Sequence, residues 1–369
     1  MRILITADTL GGVWIYTREL VTGLVQRGHF VILASFGKLP REDQLGWLRS
    51  FPATSFQYHA SEFPLEWMQD SAAGLAASVQ FLESLIDETK PDILHSSQFC
   101  YGSLACAIPK VVVAHSDVLT WWKAVHETDP PDSSWFRWYI ETVSRGLAEA
   151  DLVVAPSHWM LNAAKQQYAF TTPSRVIYNG RNPALFHPSA KKETRAITVG
   201  RLWDQAKQVS LLLSHPQAVP VQVAGPKQSP DGTNTADSHF DCSLGVELLD
   251  TQSETDIGVL FSRAAMYVAT SCYEPFGLAP VEAALSRCAL ILNDIPVFRE
   301  LWGDCALYFE HNNSWALSKV IHEISADSAL RGLYAERAYQ LARNRFNSQR
   351  MVDEYESLYH ELASKSAAA

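Results

Sequence analysis

The run Ala265–Met266–Tyr267–Val268–Ala269–Thr270–Ser271–Cys272–Tyr273–Glu274–Pro275–Phe276–Gly277–Leu278–Ala279–Pro280–Val281–Glu282–Ala283–Ala284–Leu285 holds three structural readings in sequence. Its first six residues are almost wholly apolar and read as a buried strand. Its last five read as a helix. The Pro–Phe–Gly–Leu turn between them places Glu274 on the loop beyond a strand and Glu282 about one turn into the next helix. In an open parallel sheet, ligands bind at the carboxyl ends of strands and against helix N-termini. Two carboxylates in that position suit a polyhydroxylated, phosphate-bearing ligand. The carboxylates accept from sugar hydroxyls, and the N–H groups of the turn face the phosphate.

Working outward, the same alternation of short apolar runs and amphipathic segments fills the chain. In the first half the strand-like runs are 2–7, 30–35, 54–58, 92–95, 110–114, 152–155 and 175–178. In the second they are 196–199, 219–224, 246–249, 266–270, 289–293 and 306–309. Helical patterns cover 16–27, 71–89, 139–150 and 159–168. Continuous apolar strands separated by helices indicate parallel sheets covered on both faces. Two such sets in tandem predict an α/β protein of two doubly wound, Rossmann-like domains. The Gly-, Asn- and Pro-rich stretch Asn179–Gly180–Arg181–Asn182–Pro183 marks the boundary. The expected division is therefore 1–180, 181–348 and a terminal helix with frayed tail over 349–369. The polar stretch 225–245 reads as a long functional or mobile loop.

At 369 residues, with 47% apolar and 19% charged, the chain can bury two ordinary cores. A net charge of −10 argues against a nucleic-acid binder. No apolar run approaches the roughly 20 residues that span a bilayer. The start, Met1–Arg2–Ile3–Leu4–Ile5–Thr6–Ala7–Asp8, reads as a first strand rather than a signal peptide. Six cysteines without a C-x-x-C pair fit a reducing cytoplasm. Cys272, beside Glu274, reads as a packing residue with no neighbouring base.

Further constellations surround the opening segment. Gly11–Gly12 closes the first strand and lets backbone approach a ligand, or simply makes a tight turn. Gly200–Arg201–Leu202 closes the strand 196–199, with Lys207 six residues after Arg201. These two cations can neutralise a diphosphate, or stay solvated at the surface. His115 ends the strand 110–114, where an imidazole can donate to a sugar hydroxyl. His95 also ends a strand and reads as structural. Trp121, Trp122 and Trp135 belong to the densest aromatic cluster, whose faces can stack on sugar rings or fill a core. No Asp-x-Asp occurs and no His/Cys set has metal-ligand spacing, so no bound metal is expected.

Taken in order, these motifs resemble the retaining glycosyltransferases of family 4. The likeness rests on Gly11–Gly12, Arg27–Gly28–His29–Phe30–Val31, His115, Val176–Ile177–Tyr178–Asn179–Gly180 and Phe186–His187–Pro188. It continues through Val199–Gly200–Arg201–Leu202, Lys207, Glu274–Pro275–Phe276–Gly277–Leu278, Glu282 and the run Asp294–Ile295–Pro296–Val297–Phe298–Arg299–Glu300. The resemblance implies a GT-B fold, with the two domains facing a central cleft and the terminal helix packing back on the first domain. It implies that Arg201 and Lys207 hold the donor diphosphate, with Gly200 beside them. Glu274 would bind the donor sugar, and Phe276, Gly277 and Leu278 would offer backbone N–H groups. Glu282 would accept from the ribose, Gly11 and Gly12 would approach the donor, and His115 would contact its sugar. The acceptor would lie mainly against the first domain, where the aromatic faces of Trp121, Trp122 and Trp135 make them acceptor-side candidates.

Departures from the commoner pattern are Trp14 after the Gly pair, the Trp121–Trp122 pair, and Gln208 where glycine usually follows Lys207. The expected activity is metal- and cofactor-independent transfer of a hexose, with retention, from a UDP, GDP or ADP sugar to a glycan, lipid-linked or small-molecule acceptor. The expected place is the cytoplasm, with peripheral association at the inner membrane face as a variant. A sugar-nucleotide epimerase or hydrolase on this fold, and a non-catalytic nucleotide-sugar binder, are the alternatives.

Overall fold

A computed structural model describes residues 1–69, 71–188, 191–229 and 244–368. The chain forms two compact units, Met1–Gly180 with Ser348–Ala369 and Arg181–Asn347.

The first unit is built on seven parallel strands: β1 (Arg2–Asp8), β2 (Phe30–Phe36), β3 (Phe56–Ala60), β4 (Ile93–Ser96), β5 (Lys110–Val113), β6 (Leu152–Ala155) and β7 (Ser174–Val176). They lie in the order β3-β2-β1-β4-β5-β6-β7. Alternate residues of a strand point to opposite faces, and both faces here are apolar. Ile3, Ile5, Val31 and Leu33 face the helix Gly12–Gln26, while Leu4, Ile32, Ala34 and Phe36 face the helix Ala72–Thr89 with Leu82 and Leu85. Further along the sheet, Val112, Ala114, Val153 and Ala155 pack with the helices Ser134–Glu149 and His158–Tyr168. Gly146 permits that packing, because a Cβ there would stand 1.9 Å from the Phe99 carbonyl oxygen.

The terminal helix Ser348–Ala368 belongs to this unit, and its Met351, Val352, Tyr355, Leu358 and Tyr359 are core residues. Gly23 on the first helix lets it come close, since a Cβ there would lie 2.5 Å from Val352 Cγ2. Polar tethers surround the apolar seam. Arg27 reaches Asp353 at 2.5 Å and Glu356 at 3.1 Å, and His29 Nε2 meets Glu356 at 2.7 Å. His360 completes a His–Glu–His group whose ligand atoms lie within 4.8 Å of one another. Spacing along the chain could not show this group, because His29 and Glu356 are 327 residues apart.

The second unit has six parallel strands: β8 (Glu193–Val199), β9 (Val221–Ala224), β10 (Val246–Leu249), β11 (Ala264–Ala269), β12 (Ala289–Asn293) and β13 (Leu307–Phe309), in the order β10-β9-β8-β11-β12-β13. Ala196, Val221, Val223, Met266, Val268 and Ile291 share one face with Leu317, Ile321 and Ile324 of the helix Ser314–Ala326. Tyr267, on the opposite face, packs its ring on Phe261 of the helix Glu254–Arg263. Lys192, from the charged stretch beyond the boundary, donates to the carbonyls of Phe261, Ala264 and Ser286 at 2.9, 2.9 and 2.5 Å. A cation thus meets the carboxyl ends of two helices, where orphan carbonyls and the helix dipole favour it.

The two doubly wound sheets are those the pattern of runs predicts. Boundaries shift where chemistry at an element's end outweighs the pattern. The first helix starts at Gly12 rather than at residue 16, with Gly11 at φ 63° as its cap. β3 is displaced to Phe56–Ala60 because residues 52–55 form a turn closed by Ser55 N–H to the Pro52 carbonyl. β7 stops at Val176, after which Tyr178 O accepts from Arg350 and Gly180 N–H points at Met351 Sδ. The tail expected to fray continues the terminal helix to Ala368, as its alanines allow. Of the expected loop 225–245, residues 230–243 lie outside the described residues, as does Cys242; the other five cysteines are unbridged. Among the described residues, no helix is long and apolar enough to cross a membrane.

Candidate functional site

In a doubly wound sheet the crevice lies where strand order reverses. In the second unit that point falls between β8 and β11, which pair side by side with β9 beyond β8. The segment after β8 carries Gly200, Arg201 and Lys207, and the segment after β11 carries Glu274 through Leu278. The topology therefore sets the two constellations side by side at the carboxyl end of one sheet.

Backbone contacts lock the two segments together. Cys272 N–H donates to the Ala206 carbonyl at 2.9 Å, and Thr270 Oγ1 donates to the Lys207 carbonyl at 2.6 Å. Lys207 Nζ then closes an ion pair on Glu274, each side chain 18% exposed. Asn293, at the end of β12 and fully buried, donates from Nδ2 to the carbonyls of Thr270 and Ser271 at 3.3 and 3.2 Å. It fixes the start of the loop that presents Glu274. Gly277 caps the helix Leu278–Leu285 at φ 85°, and a Cβ there would press on Glu274 Cγ at 3.1 Å. Glycine thus supplies both the left-handed turn and the room for the carboxylate over the helix N-terminus. Gly225, after β9, approaches Gly200 so closely that a Cβ would stand 1.7 Å from the Gly200 carbonyl oxygen.

Arg201 turns to Asp204 Oδ2 at 2.7 Å and lies over the Trp203 ring at 5.2 Å. It is 46% exposed, so this pair holds the guanidinium at the surface without burying it. Phe276 is buried against Phe346. Glu282 is nearly buried and its Oε1 meets Arg181 Nε at 2.9 Å. Gln208, standing where glycine is commoner, takes a left-handed backbone at φ 44°, at a cost of roughly 1–2 kcal/mol.

In the first unit, Gly11 and Gly12 are exposed at the end of β1, and a Cβ on Gly11 would meet nothing within 4 Å. His115 follows β5. Its ring packs edge-on to Tyr16 at 4.5 Å and its Nε2 lies 3.4 Å from Ser97 Oγ. Tyr16 rides on the helix that the glycine pair opens, so the two candidates share a neighbour. Burial pushes the His115 imidazolium form down to a pKa of about 3, leaving a neutral ring that can donate or accept a hydrogen bond. Trp122 packs on Phe136 at 5.3 Å, and Trp135 stacks on Tyr139 at 5.6 Å with Nε1 donating to the Met68 carbonyl at 3.0 Å. Both rings flank the core, and Trp121 meets Trp122 and His126 edge-on. Trp14 is likewise a core residue, against Trp47.

His95 is fully buried between two tyrosines, sharing hydrogen bonds with Tyr16 at 3.1 Å and Tyr359 at 2.7 Å. Burial, then the nearby His115, lowers its pKa to about 3. The unfolded chain takes up this proton near pH 6.5 and the folded chain only near 3, so stability falls as pH drops through that window. We expect each such histidine to cost about 1.4 kcal/mol per pH unit below 6.5. A His95→Gln variant, compared with the parent by calorimetry between pH 6.5 and 4.5, should show a flatter fall in Tm. Glu356, held low by His29 and then Arg27, loses its stabilising charge only below the ordinary carboxylate range, outside this window. An equal slope in parent and variant would remove His95 as the source.

Sequence reading missed the residues that hold this geometry: Arg181, Asp204, Gly225, Thr270 and Asn293. Polar residues at strand ends, such as Thr270 and Asn293, carried a usable signal. Arg181 carried none, standing in a stretch that reads as a linker.

The model of "Glycosyltransferase Family 4" matches residues 10–185, and that of "Glycosyl transferases group 1" matches residues 186–341. A lipopolysaccharide core biosynthesis mannosyltransferase, LpcC of Rhizobium leguminosarum bv. viciae, is 32% identical over 109 residues, 29% of this chain and 31% of that protein. The chain thus spans under a third of that curated relative. The fold is shared with sucrose-phosphate synthase from Thermosynechococcus elongatus, at TM-score 0.80 and 17% identity over 99% of this chain and 100% of the other. It is shared too with Anabaena HepE, solved in complex with UDP, at TM-score 0.73 and 18% identity over 98% and 100%. Two tandem family models that together run from residue 10 to residue 341, over two doubly wound units, place the chain among the family 4, group 1 glycosyltransferases.

Proposed function

We propose that this chain transfers a hexose from a nucleoside diphosphate sugar to a glycan, lipid-linked or small-molecule acceptor, with retention and without a metal. The carrying observation is the Lys207–Glu274 pair at the switch point of the second sheet, over the N-terminus of the helix Leu278–Leu285. In this reading Lys207 and Arg201 hold the diphosphate and take up its charge as it leaves. Donor binding draws Lys207 from Glu274 toward phosphate and leaves Glu274 to accept from the sugar. The N–H groups of Phe276, Gly277 and Leu278 face the anion. Glu282 accepts from the ribose. The neutral His115 contacts the sugar, and Gly11 and Gly12 admit the donor backbone to backbone. Trp121, Trp122 and Trp135 are the acceptor-side candidates. That one relative is a mannosyltransferase and that HepE binds UDP supports a hexose on a nucleoside diphosphate.

Thermal-shift titration with UDP, GDP and ADP and their hexose conjugates tests the donor half. A ligand that binds only the folded chain raises Tm, by about 2.7 kcal/mol of stability at a hundred times its Kd. One nucleotide should stand out. No shift with any of them overturns the reading. With the donor in hand, consumption that needs an added acceptor separates transfer from epimerisation or hydrolysis, and NMR of the new anomeric centre reads retention.

A further inference from the structure

Arg181 is the first residue of the second unit and one of its most deeply buried charges, with no exposed surface. Its Nε meets Glu282 Oε1 at 2.9 Å, and its Nη2 meets Glu254 Oε1 at 2.5 Å. Its backbone N–H donates to the Phe346 carbonyl at 2.9 Å, and its guanidinium lies 5.2 Å from the Phe186 ring. Main chain and aromatic packing thus fix the base of the side chain, while its two arms grip carboxylates from two different helices.

We infer that Arg181 is a positioning residue, which keeps Glu282 ionised and aimed at the donor's ribose hydroxyls; this rests on the proposed role of Glu282. A carboxylate almost excluded from water loses hydration and tends to take a proton, and a neutral carboxyl is a weaker acceptor. The guanidinium opposes this by placing a positive charge 2.9 Å from one carboxylate oxygen. Stability alone is a poor reason for such a pair, because well-packed apolar residues of equal volume commonly serve as well or better. Glu254, 44% exposed, takes the second arm.

The test uses the whole chain and reads a ratio. UDP and GDP are each titrated by calorimetry beside their 2′,3′-dideoxy analogues, which keep the base and diphosphate and lack both ribose hydroxyls. The parent should favour the ribo form by at least about tenfold, the scale of hydrogen bonds to a charged group. Glu282→Ala should abolish the preference. Arg181→Gln should reduce it most of the way, with the dideoxy affinity unchanged, and Arg181→Lys should fall between. A merely structural loss would weaken both forms together and leave the ratio intact. An unreduced ratio in Arg181→Gln overturns the proposal while leaving Glu282 as the ribose ligand. An unreduced ratio in Glu282→Ala, or none in the parent, overturns the ribose role itself. Where Arg181→Gln does not fold, Arg181→Lys decides, since a single ammonium cannot span both carboxylates in that geometry; a parent-like ratio there also overturns the proposal.

Discussion

Lys207→Ala is expected to lower turnover by about 10²–10³-fold, the scale seen when one preorganised donor to a developing anion is removed. In the proposed reaction the leaving diphosphate gathers negative charge as the glycosidic bond lengthens, and the Lys207 ammonium is assigned to meet that charge. The side chain is only partly buried, and of the ties that hold its loop only the ion pair to Glu274 involves it. Thr270 Oγ1 bonds to the Lys207 carbonyl, and Lys207 N–H donates to the Asp204 carbonyl, so both survive the substitution. Folding should therefore be kept, as Tm will report. Lys207→Arg should recover part of the loss, because a guanidinium also bridges phosphate oxygens but carries its charge at a different reach. Rates under saturating donor read the chemical step, and UDP or GDP affinity reads the ground state. Turnover near that of the parent in a well-folded Lys207→Ala protein would sink the diphosphate assignment. The partner substitution sharpens it: with Glu274→Gln, Lys207 loses its resting partner, so nucleotide diphosphate affinity should hold or rise while transfer falls.

What the sequence could show depends on how local each cause is. The strands were legible because a parallel strand buried on both faces reads as an unbroken apolar run; β11 is buried at every position. β3 was harder, being an edge strand with only Phe56 fully buried, and its register slipped by two residues. Gly277 and Glu274 were legible because turn, cap and carboxylate sit within a few residues. Arg181 was not, since its partners Glu254 and Glu282 lie 73 and 101 residues on, and a buried arginine in a Gly–Asn–Pro stretch looks like any linker charge. The His29–Glu356–His360 group was invisible for the same reason. Cys272 shows the converse: its place beside Glu274 drew attention, yet its role on view is a backbone bond to Ala206.

The second large effect lies far from that site, on the terminal helix. Tyr359 is fully buried in the first unit's core, and its hydroxyl shares a 2.7 Å hydrogen bond with His95 Nδ1. Tyr359→Ala should cost about 3–5 kcal/mol, since truncating a buried aromatic loses transfer energy and leaves a cavity the helix cannot fill. The loss should exceed that for volume alone, because His95 keeps a buried ring nitrogen without its partner. Tyr359→Phe separates the two parts. It preserves the packing and removes only the hydroxyl, and should cost about 1–3 kcal/mol. Trp315, 62% exposed on the helix Ser314–Ala326, gives the contrast: Trp315→Ala should stay within about 0.5 kcal/mol. Urea unfolding followed by circular dichroism checks all three, with the Tyr359 losses falling on the transition of the unit formed by Met1–Gly180 and Ser348–Ala369. Should Tyr359→Ala unfold no earlier than Trp315→Ala, the terminal helix would be an appendage rather than part of that core. The close seam between Gly23 and Val352 argues otherwise, because glycine is needed there only if the helix is pressed home.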